Sequence, residues 1–334
     1  MESHLVTGAT GLVGMHIVLD LLNQNKKVCA TFTKNSNRSI IKHVFNHYGF
    51  SNYYDKVKWI KMDLEDVTEV YQAIKGVDFV YHSGAIVSFN KSDYEQMRRI
   101  NIEGTTNIVN ACLEHKIKKL AFISSVASIG RDGKGKYSEK NKWNSRKENS
   151  FYALTKYKAE NEVWRGMEEG LNAVITNPGI IIGPSHWGRS STTIFKQIHK
   201  GLSYFPEGKN GFIDVRDVAR ATIALMDSKI NRERFILVGE NLPYKSVFDD
   251  IALCLNKPKP YKKATKSLLE IAWRLEAIRC FITNKKQSIT KETARTASQI
   301  NIYENQKIIN ALNYNFKTIK EAISNTSKFL LKVK

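Results

Sequence analysis

The sequence has few cysteines, a shortage of acidic residues and no long apolar segment. Its four cysteines lack the close spacing of a zinc or iron–sulfur site; they are Cys29, Cys112, Cys254 and Cys280. We therefore expect no metal, and we interpret the cysteines as reduced packing residues of a cytoplasmic protein. No run approaches the roughly 20 apolar residues of a transmembrane segment, and the N-terminal residues lack the apolar region of a secretory signal.

Acidic residues are outnumbered, with 32 Asp and Glu against 52 Lys and Arg in 334 residues. Residues 256–334 hold 17 basic and 5 acidic residues. Such a segment is typical of nucleic-acid or anionic membrane contacts, or simply of a solvated face. No nucleic-acid motif accompanies it, so we expect no nucleic-acid partner. The apolar-basic stretch 268–275 has helical spacing; we interpret it as a helix over a pocket, with membrane contact as the alternative.

Glycines Gly8, Gly11 and Gly14 follow a short apolar strand that ends near Val6, and helical periodicity begins at Leu12. Glycine permits a tight turn and a close approach of backbone to phosphate, and free N–H groups at a helix start bind pyrophosphate. The spacing G-x-x-G-x-x-G is a variant of the dinucleotide-binding fingerprint. It predicts a dinucleotide site, with a ligand-free glycine turn as the alternative.

The residues that follow the second predicted strand, residues 27–32, indicate which dinucleotide binds. An acid often follows this strand in NAD-binding chains, to hold the ribose 2′-hydroxyl. Here residues 33–38 contain no acid, and Lys34 and Arg38 are suited to a 2′-phosphate. We therefore predict NADP rather than NAD, although both cations could simply solvate a surface loop. Asp63 is predicted to contact adenine or to cap a helix.

A tyrosine and a lysine one helical turn apart, Tyr152 and Lys156, are the candidate proton-transfer pair. A free phenol has a pKa near 10, and a nearby ammonium favours phenolate. Alone, the pair is more typical of an ordinary amphipathic helix, and it gains weight as a catalytic pair only beside the glycine loop and the serine strand. An apolar strand that ends in Ser124 and Ser125 adds a donor for a carbonyl oxygen, which Ser125 can help supply.

These motifs, in this order, resemble the extended short-chain dehydrogenase/reductases of the epimerase/dehydratase superfamily, and within them the dihydroflavonol-reductase-like branch. The resemblance covers nearly the whole chain. The segments that carry it are 7–14, 82–85, 101–105, 177–179 and 214–219, together with Ser125, Tyr152 and Lys156.

The resemblance implies a role for each matching residue. Tyr152 would be the general acid in reduction, Lys156 would bind the nicotinamide ribose and lower the pKa of Tyr152, and Ser125 would orient the carbonyl. Asn101 would support a water-mediated proton path or be a structural amide. Together with the glycine loop, the resemblance implies cofactor contacts at Gly8, Thr10, Gly11, Leu12, Gly14, Lys34, Arg38, Asp63, Leu64, Ser83, Gly84, Ala85, Lys156 and Pro178.

Three departures favour a reductase over nucleotide-sugar epimerases and dehydratases of the same superfamily. Val126 and Ala127 follow Ser125, where the dehydratases carry an acidic pair. Residues 210–212 replace the arginine-containing phosphate grip of the sugar-nucleotide enzymes, and the second strand lacks the acid for NAD. We expect an NADP-dependent oxidoreductase that reduces a ketone or aldehyde of a small organic substrate. The alternatives are a nucleotide-sugar epimerase or dehydratase with bound NAD and a non-catalytic dinucleotide-binding regulator.

Alternating strands and helices up to about residue 177 predict an α/β fold, a Rossmann-type doubly wound parallel sheet. We expect a dinucleotide-binding domain at 1–177, to which 212–239 returns. Residues 178–211 and 240–334 are expected to form a smaller substrate-capping lobe. The polar stretch 131–150 is expected to rim the active site and to be mobile. Family resemblance also implies a homodimer through helices at 102–115 and 152–167.

Overall fold

The computed structural model describes residues 2–131, 133, 135–144, 149–283, 287 and 289–333. Its strands are β1 (Ser3–Thr7), β2 (Lys27–Phe32), β3 (Lys58–Lys61), β4 (Phe79–His82), β5 (Lys119–Ile123), β6 (Lys136–Tyr137), β7 (Ala173–Pro178), β8 (Ile180–Ile182), β9 (Tyr204–Pro206), β10 (Lys209–Asp214), β11 (Glu233–Leu237), β12 (Glu240–Pro243), β13 (Lys262–Ala264) and β14 (Ile302–Tyr303).

Its α-helices are α1 (Leu12–Asn23), α2 (Ser39–His47), α3 (Val67–Ile74), α4 (Tyr94–Met97), α5 (Gly104–Glu114), α6 (Phe151–Glu168), α7 (Thr192–His199), α8 (Val215–Asp227), α9 (Tyr244–Cys254), α10 (Lys266–Thr283), α11 (Lys291–Ser298), α12 (Gln306–Leu312) and α13 (Ile319–Lys332). A π-helical segment, Arg98–Glu103, leads into α5. The helix predicted from residue 102 therefore begins its regular α-turns later, at Gly104.

Seven strands form one parallel sheet in the order β11-β7-β5-β4-β1-β2-β3. All six strand pairings are parallel, and β1 lies between β4 and β2. Such an order, with the chain reversing direction across the sheet beside β1, is that of doubly wound folds, whose ligands bind at this switch point. The predicted fold class is confirmed.

Successive residues of the strands face two different cores, since side chains alternate across a sheet. Val6, Tyr81 and Ala121 pack on one face together with α1, α8, α9 and α13. Their chain neighbours pack on the other face with α3, α5 and α6; these include Leu5, Val80 and Phe122. The two helical layers explain why the central strands are buried almost throughout, including polar residues such as His4 and Thr176.

The C-terminal half contributes a three-stranded sheet, β12-β10-β8, and two short strand pairs, β13-β9 and β14-β6. Within the stretch 212–239, β11 pairs with β7 at the edge of the large sheet, whereas β10 belongs to the three-stranded one. The division into a dinucleotide domain and a substrate lobe stays a prediction. Within the described part of the chain, every helix is too short or too polar to span a bilayer.

Candidate active site

The glycine loop between β1 and α1 leaves no room for side chains. Gly8 has a left-handed backbone with φ of 63°, and a Cβ there would lie 2.6 Å from the Cα of Gly84. A Cβ on Gly14 would lie 2.3 Å from the carbonyl oxygen of Gly8. Backbone atoms of the loop, of α1 and of the segment after β4 are therefore packed against one another. This is the close approach that the spacing predicts.

The N-terminus of α1 is available to an anion. Gly11 is its N-cap residue and has no side chain to occupy the first amides, which begin at Leu12. The Gly11 N–H donates to the carbonyl of Gly8 at 2.9 Å, which fixes the turn. The hydroxyl oxygens of Thr10 and Ser36 lie 3.4 Å apart, so the glycine loop also contacts the segment after β2. An uncapped helix start beside a glycine cradle fits a dinucleotide pyrophosphate.

The two cations predicted to select NADP lie after β2. The guanidinium of Arg38 stacks 4.3 Å from the centre of the Phe32 ring, which pre-orients it at the end of that strand. Lys34 is exposed and lines a recess of about 700 Å³ that also contains Asp63. Asp63 accepts from the N–H of Glu65, whereas Asp66 caps α3. The alternative of a helix cap at Asp63 is therefore wrong.

The remaining predicted cofactor contacts surround the end of β4. The hydroxyl of Ser83 donates to the Thr7 carbonyl at 2.7 Å, and the N–H of Gly84 donates to the Thr7 hydroxyl at 3.2 Å. Leu64 is buried, and its Cδ1 would lie 3.0 Å from a Cβ on Gly84. Ala85 is exposed. Pro178 ends β7 on the far side of β5.

A buried histidine at the end of β4 joins these segments, and the sequence reasoning assigned it no role. Nδ1 of His82 lies 2.7 Å from the Thr7 hydroxyl, and Nε2 lies 3.1 Å from the Thr105 hydroxyl, which donates to the Asn101 carbonyl. Thr105 must therefore accept from Nε2–H, and Nδ1 accepts from Thr7. Burial lowers the pKa of His82 to about 3, with Lys156 adding to the effect, so the ring is neutral.

Asn101 holds the segment after β4 against the tyrosine helix. Its side-chain oxygen accepts from the N–H of Ile86 at 2.8 Å, and its amide donates to the carbonyl of the same residue at 2.9 Å. The amide also donates to Thr155, whose hydroxyl donates to the carbonyl of Tyr152. This geometry is that of a positioning amide. A proton path through Asn101 stays a prediction.

Tyr152 and Ser125 meet where β5 and α6 converge. The Ser150 side chain accepts from the Ala153 N–H at 3.0 Å and so begins α6 just before Tyr152. The Tyr152 ring is half-buried and packs edge-on against Phe89, with 6.0 Å between the ring centres. Burial of the phenol raises the pKa of Tyr152 to about 12, although the neighbouring Ser125 hydroxyl opposes this. The phenol is therefore protonated at neutral pH, the form that donates a proton.

The Lys156 ammonium is directed into the sheet. Its Nζ donates to the carbonyl of Ile123 at 2.8 Å and lies 4.4 Å from the centre of the Phe122 ring. Burial lowers the pKa of Lys156 to about 7, opposed by Glu160. Burial dominates the pKa of Tyr152 in this structure, and the expectation that Lys156 lowers that pKa stays a prediction.

Glu160, one turn beyond Lys156, is the residue that sequence reasoning missed most completely. One carboxylate oxygen accepts from Ser124, Ser128 and Asn177 at 2.7, 2.7 and 2.9 Å. The other lies 3.0 Å from the Arg234 guanidinium on β11. Glu160 is 2% exposed. Because Ser124 donates to this carboxylate, it is not available to a substrate, which favours Ser125 as the active hydroxyl.

The loop after β6 is anchored behind α6. Arg234 donates to the carbonyls of Glu139 and Asn141, and Trp143 stacks on Tyr157 with 4.4 Å between ring centres. These contacts anchor this part of the stretch 131–150, and its expected mobility stays a prediction; residues 132, 134 and 145–148 lie outside the described residues. These side chains border a recess of about 1020 Å³ on the face of α6 that carries Tyr157.

The charge state of Lys156 predicts how stability depends on pH. Its pKa is about 7 in the folded, cofactor-free protein and 10.5 when exposed, so the unfolded chain binds more protons between these values. The free energy of unfolding should therefore rise from about pH 7 to about pH 8. Urea midpoints at both values, for the wild type and Lys156→Met, measure this. An equal pH dependence in both proteins would contradict the assignment.

Comparison with known proteins relates this geometry to a family. Residues 4–239 match the NAD dependent epimerase/dehydratase family. Sterol demethylase protein B of Methylococcus capsulatus is 26% identical, over 77% of this chain and 75% of the relative. A candidate dihydroflavonol 4-reductase of Synechocystis sp. is 27% identical, over 97% and 93%. Cinnamoyl-CoA reductase 1 of Petunia hybrida is 27% identical, over 69% and 71%.

Solved structures share the fold over its whole length. The crystal structure of gox2253 superposes with a TM-score of 0.82 at 25% identity, covering 100% of this chain and 99% of the other. The UDP-glucose 4-epimerase of Thermotoga maritima, solved with UDP-glucose, gives a TM-score of 0.78 at 18% identity, covering 99% of each chain. With the family match over residues 4–239, the chain belongs to the NAD-dependent epimerase/dehydratase family of the extended short-chain dehydrogenase/reductases.

Proposed function

We propose that this protein is an NADP(H)-dependent reductase of a ketone or aldehyde on a small organic substrate. The observation that carries the proposal is the protonated phenol of Tyr152 beside the Ser125 hydroxyl, at the end of β5. A carbonyl oxygen placed between these two hydroxyls would meet two donors at once. The family is NAD(P)-dependent, and the glycine cradle with the open start of α1 fits such a cofactor.

The proposed reaction adds one hydride and one proton to the carbonyl group. When bound, a reduced nicotinamide supplies the hydride to the carbonyl carbon. Ser125 orients the carbonyl oxygen, and Tyr152 transfers its proton to that oxygen, which gives an alcohol and leaves a phenolate. A protonated Lys156, one turn along α6, stabilises this phenolate. Water then returns a proton to Tyr152.

The competing function is that of a nucleotide-sugar epimerase or dehydratase with bound NAD. Solved structures of such epimerases share the fold of this chain. Val126 and Ala127 lie in a short 3-10 turn after Ser125, and the Ala127 N–H donates to the Ser125 hydroxyl. Neither side chain can move a proton for an elimination. Relatives named as reductases, one of them matched over nearly the full chain, also support reduction. A non-catalytic regulator would need neither Ser125 nor Tyr152.

A substrate screen tests the proposal. Purified protein is mixed with NADPH and a panel of aldehydes and ketones that includes flavonoid-like and steroid-like compounds, and NADPH absorbance is followed. We expect oxidation with at least one member. Protein that is purified with tightly bound NAD, and that converts UDP-sugars but oxidises NADPH with no member, would favour the epimerase instead.

Cofactor preference gives a separate prediction. We expect NADPH to bind more tightly than NADH, because Lys34 and Arg38 replace the acid that holds a ribose 2′-hydroxyl. Lys34→Glu should weaken NADPH binding by about tenfold, the loss of one charge-assisted contact, and leave NADH nearly unchanged. Lys27→Glu, an exposed lysine at the opposite end of β2, is the matched control. Equal affinity of the wild type for both cofactors, by fluorescence titration, would refute NADP selection.

A further inference from the structure

Helix α10 exposes an apolar stripe to solvent. Its members recur at the spacing of one helix face and lie within about 80° of one another on a helical wheel. They are Leu268, Ile271, Leu275 and Ile278, which are 37%, 56%, 61% and 58% exposed. The opposite face, which includes the buried Cys280 and the half-buried Trp273, packs inward toward α11. A continuous apolar stripe of this kind marks an interaction surface.

A lysine-rich segment leads directly into this helix. Residues 257–266 contain five lysines and no acidic residue. Lys262 lies against the rings of Tyr204 and Tyr261, at 5.7 and 5.6 Å from their centres, and both tyrosines are exposed. Lys263 pairs with Glu207 at the surface, whereas Lys259 and Lys266 are also exposed. Cationic and aromatic side chains thus border the apolar stripe.

We propose that this surface, α10 with residues 257–266, docks on an anionic lipid bilayer. A helix with one apolar face and a basic border lies in the plane of the membrane interface, where its apolar side enters the acyl region. Lysines next to it are attracted to anionic headgroups, and tyrosine is suited to the headgroup level. Charge favours this occupant over a second copy of the chain, because residues 256–334 hold 17 basic and 5 acidic residues and so offer the lysines little negative charge.

The proposed docking surface is connected to the catalytic helix through one element. Helix α11 packs on α10, and its Glu292 accepts from the Tyr94 hydroxyl at 2.9 Å and from the Phe151 N–H at 3.3 Å. Phe151 directly precedes Tyr152. Docking would therefore place the elements beside the active site close to the bilayer, which suits a substrate that partitions into lipid. The docking itself does not depend on the proposed reductase function.

Vesicle co-sedimentation tests the proposal with the full chain. We expect binding to phosphatidylcholine vesicles that contain phosphatidylglycerol, weak binding to phosphatidylcholine alone, and a loss of binding as salt increases. Changing Lys262, Lys263 and Lys266 to Gln should weaken binding by about 10²-fold, since each lysine contributes about fivefold. Leu275→Glu should weaken it by about tenfold or more, because an apolar side chain no longer enters the lipid.

The matched control is Leu331→Glu, the same substitution at a leucine of α13 that is 42% exposed; it should bind as the wild type does. Failure of the wild type to bind anionic vesicles would overturn the proposal, as would equal binding by Leu275→Glu. Light scattering tests whether a second copy of the chain covers the stripe instead. A dimer that Leu275→Glu dissociates, in a protein that does not bind vesicles, would show that it does. A dimer through α5 and α6 would not respond to this substitution.

Discussion

Replacing Tyr152 with Phe should lower turnover by about 10²- to 10⁴-fold, the range for loss of a general acid. The substitution removes one hydroxyl and keeps the ring against Phe89. Cofactor affinity should remain close to that of the wild type, because the glycine loop and Lys156 are unchanged. Steady-state kinetics on a substrate found in the screen, with a parallel NADPH titration, measure the two effects separately.

Tyr157→Phe provides the control on the same helix. Tyr157 stacks on Trp143 on a different face of α6, so removing its hydroxyl should change turnover less than twofold. A Tyr152→Phe protein with near-normal turnover would mean that another group protonates the product. An equal loss in both variants would show that the effect comes from general disturbance of α6.

The largest expected effect on stability comes from Glu160→Ala. The substitution leaves the guanidinium of Arg234 without its carboxylate and removes the acceptor shared by Ser124, Ser128 and Asn177. Breaking a buried pair in this way costs about 3–5 kcal/mol. The free energy of unfolding, from urea denaturation of the cofactor-free protein, should fall by that amount.

Glu162→Ala is the matched control, because Glu162 lies on the same helix and pairs with Arg165 near the surface at 3.0 Å. Exposed pairs of this kind contribute about 0.5 kcal/mol or less. If the two alanine variants were equally stable, Glu160 would not be the central acceptor that joins α6, β5, β7 and β11.

Prediction from the sequence succeeded for features that are determined by residues close together in the chain. The spacing of Gly8, Gly11 and Gly14 predicted the tight turn between β1 and α1, because Gly14 packs directly on the backbone of Gly8 within the same loop. The pattern of residues 27–32 predicted β2 with its observed bounds. The i,i+4 spacing of Tyr152 and Lys156 likewise predicted a shared helix, since helical geometry alone brings such residues together.

Prediction from the sequence failed for contacts between residues that are far apart in the chain. Arg234 and Glu160 are separated by 74 positions, and nothing in the local pattern of α6 marks Glu160 as an acceptor. The relay from Thr7 through His82 to Thr105 also depends on the packing of separate segments. The pKa of Tyr152 likewise depends on burial, which appears only in the fold, whereas the sequence shows only the nearby lysine.

The transfer of deuterium from cofactor to substrate tests the central claim most directly. Protein is incubated with NADPH deuterated at the transferable position and with a carbonyl compound found in the screen, and the alcohol is analysed by mass spectrometry and NMR. The account predicts one deuterium per alcohol, on the former carbonyl carbon, and a rate that falls with Tyr152→Phe. An alcohol without deuterium, or an NADPH-independent conversion of a UDP-sugar by the same protein, would contradict it.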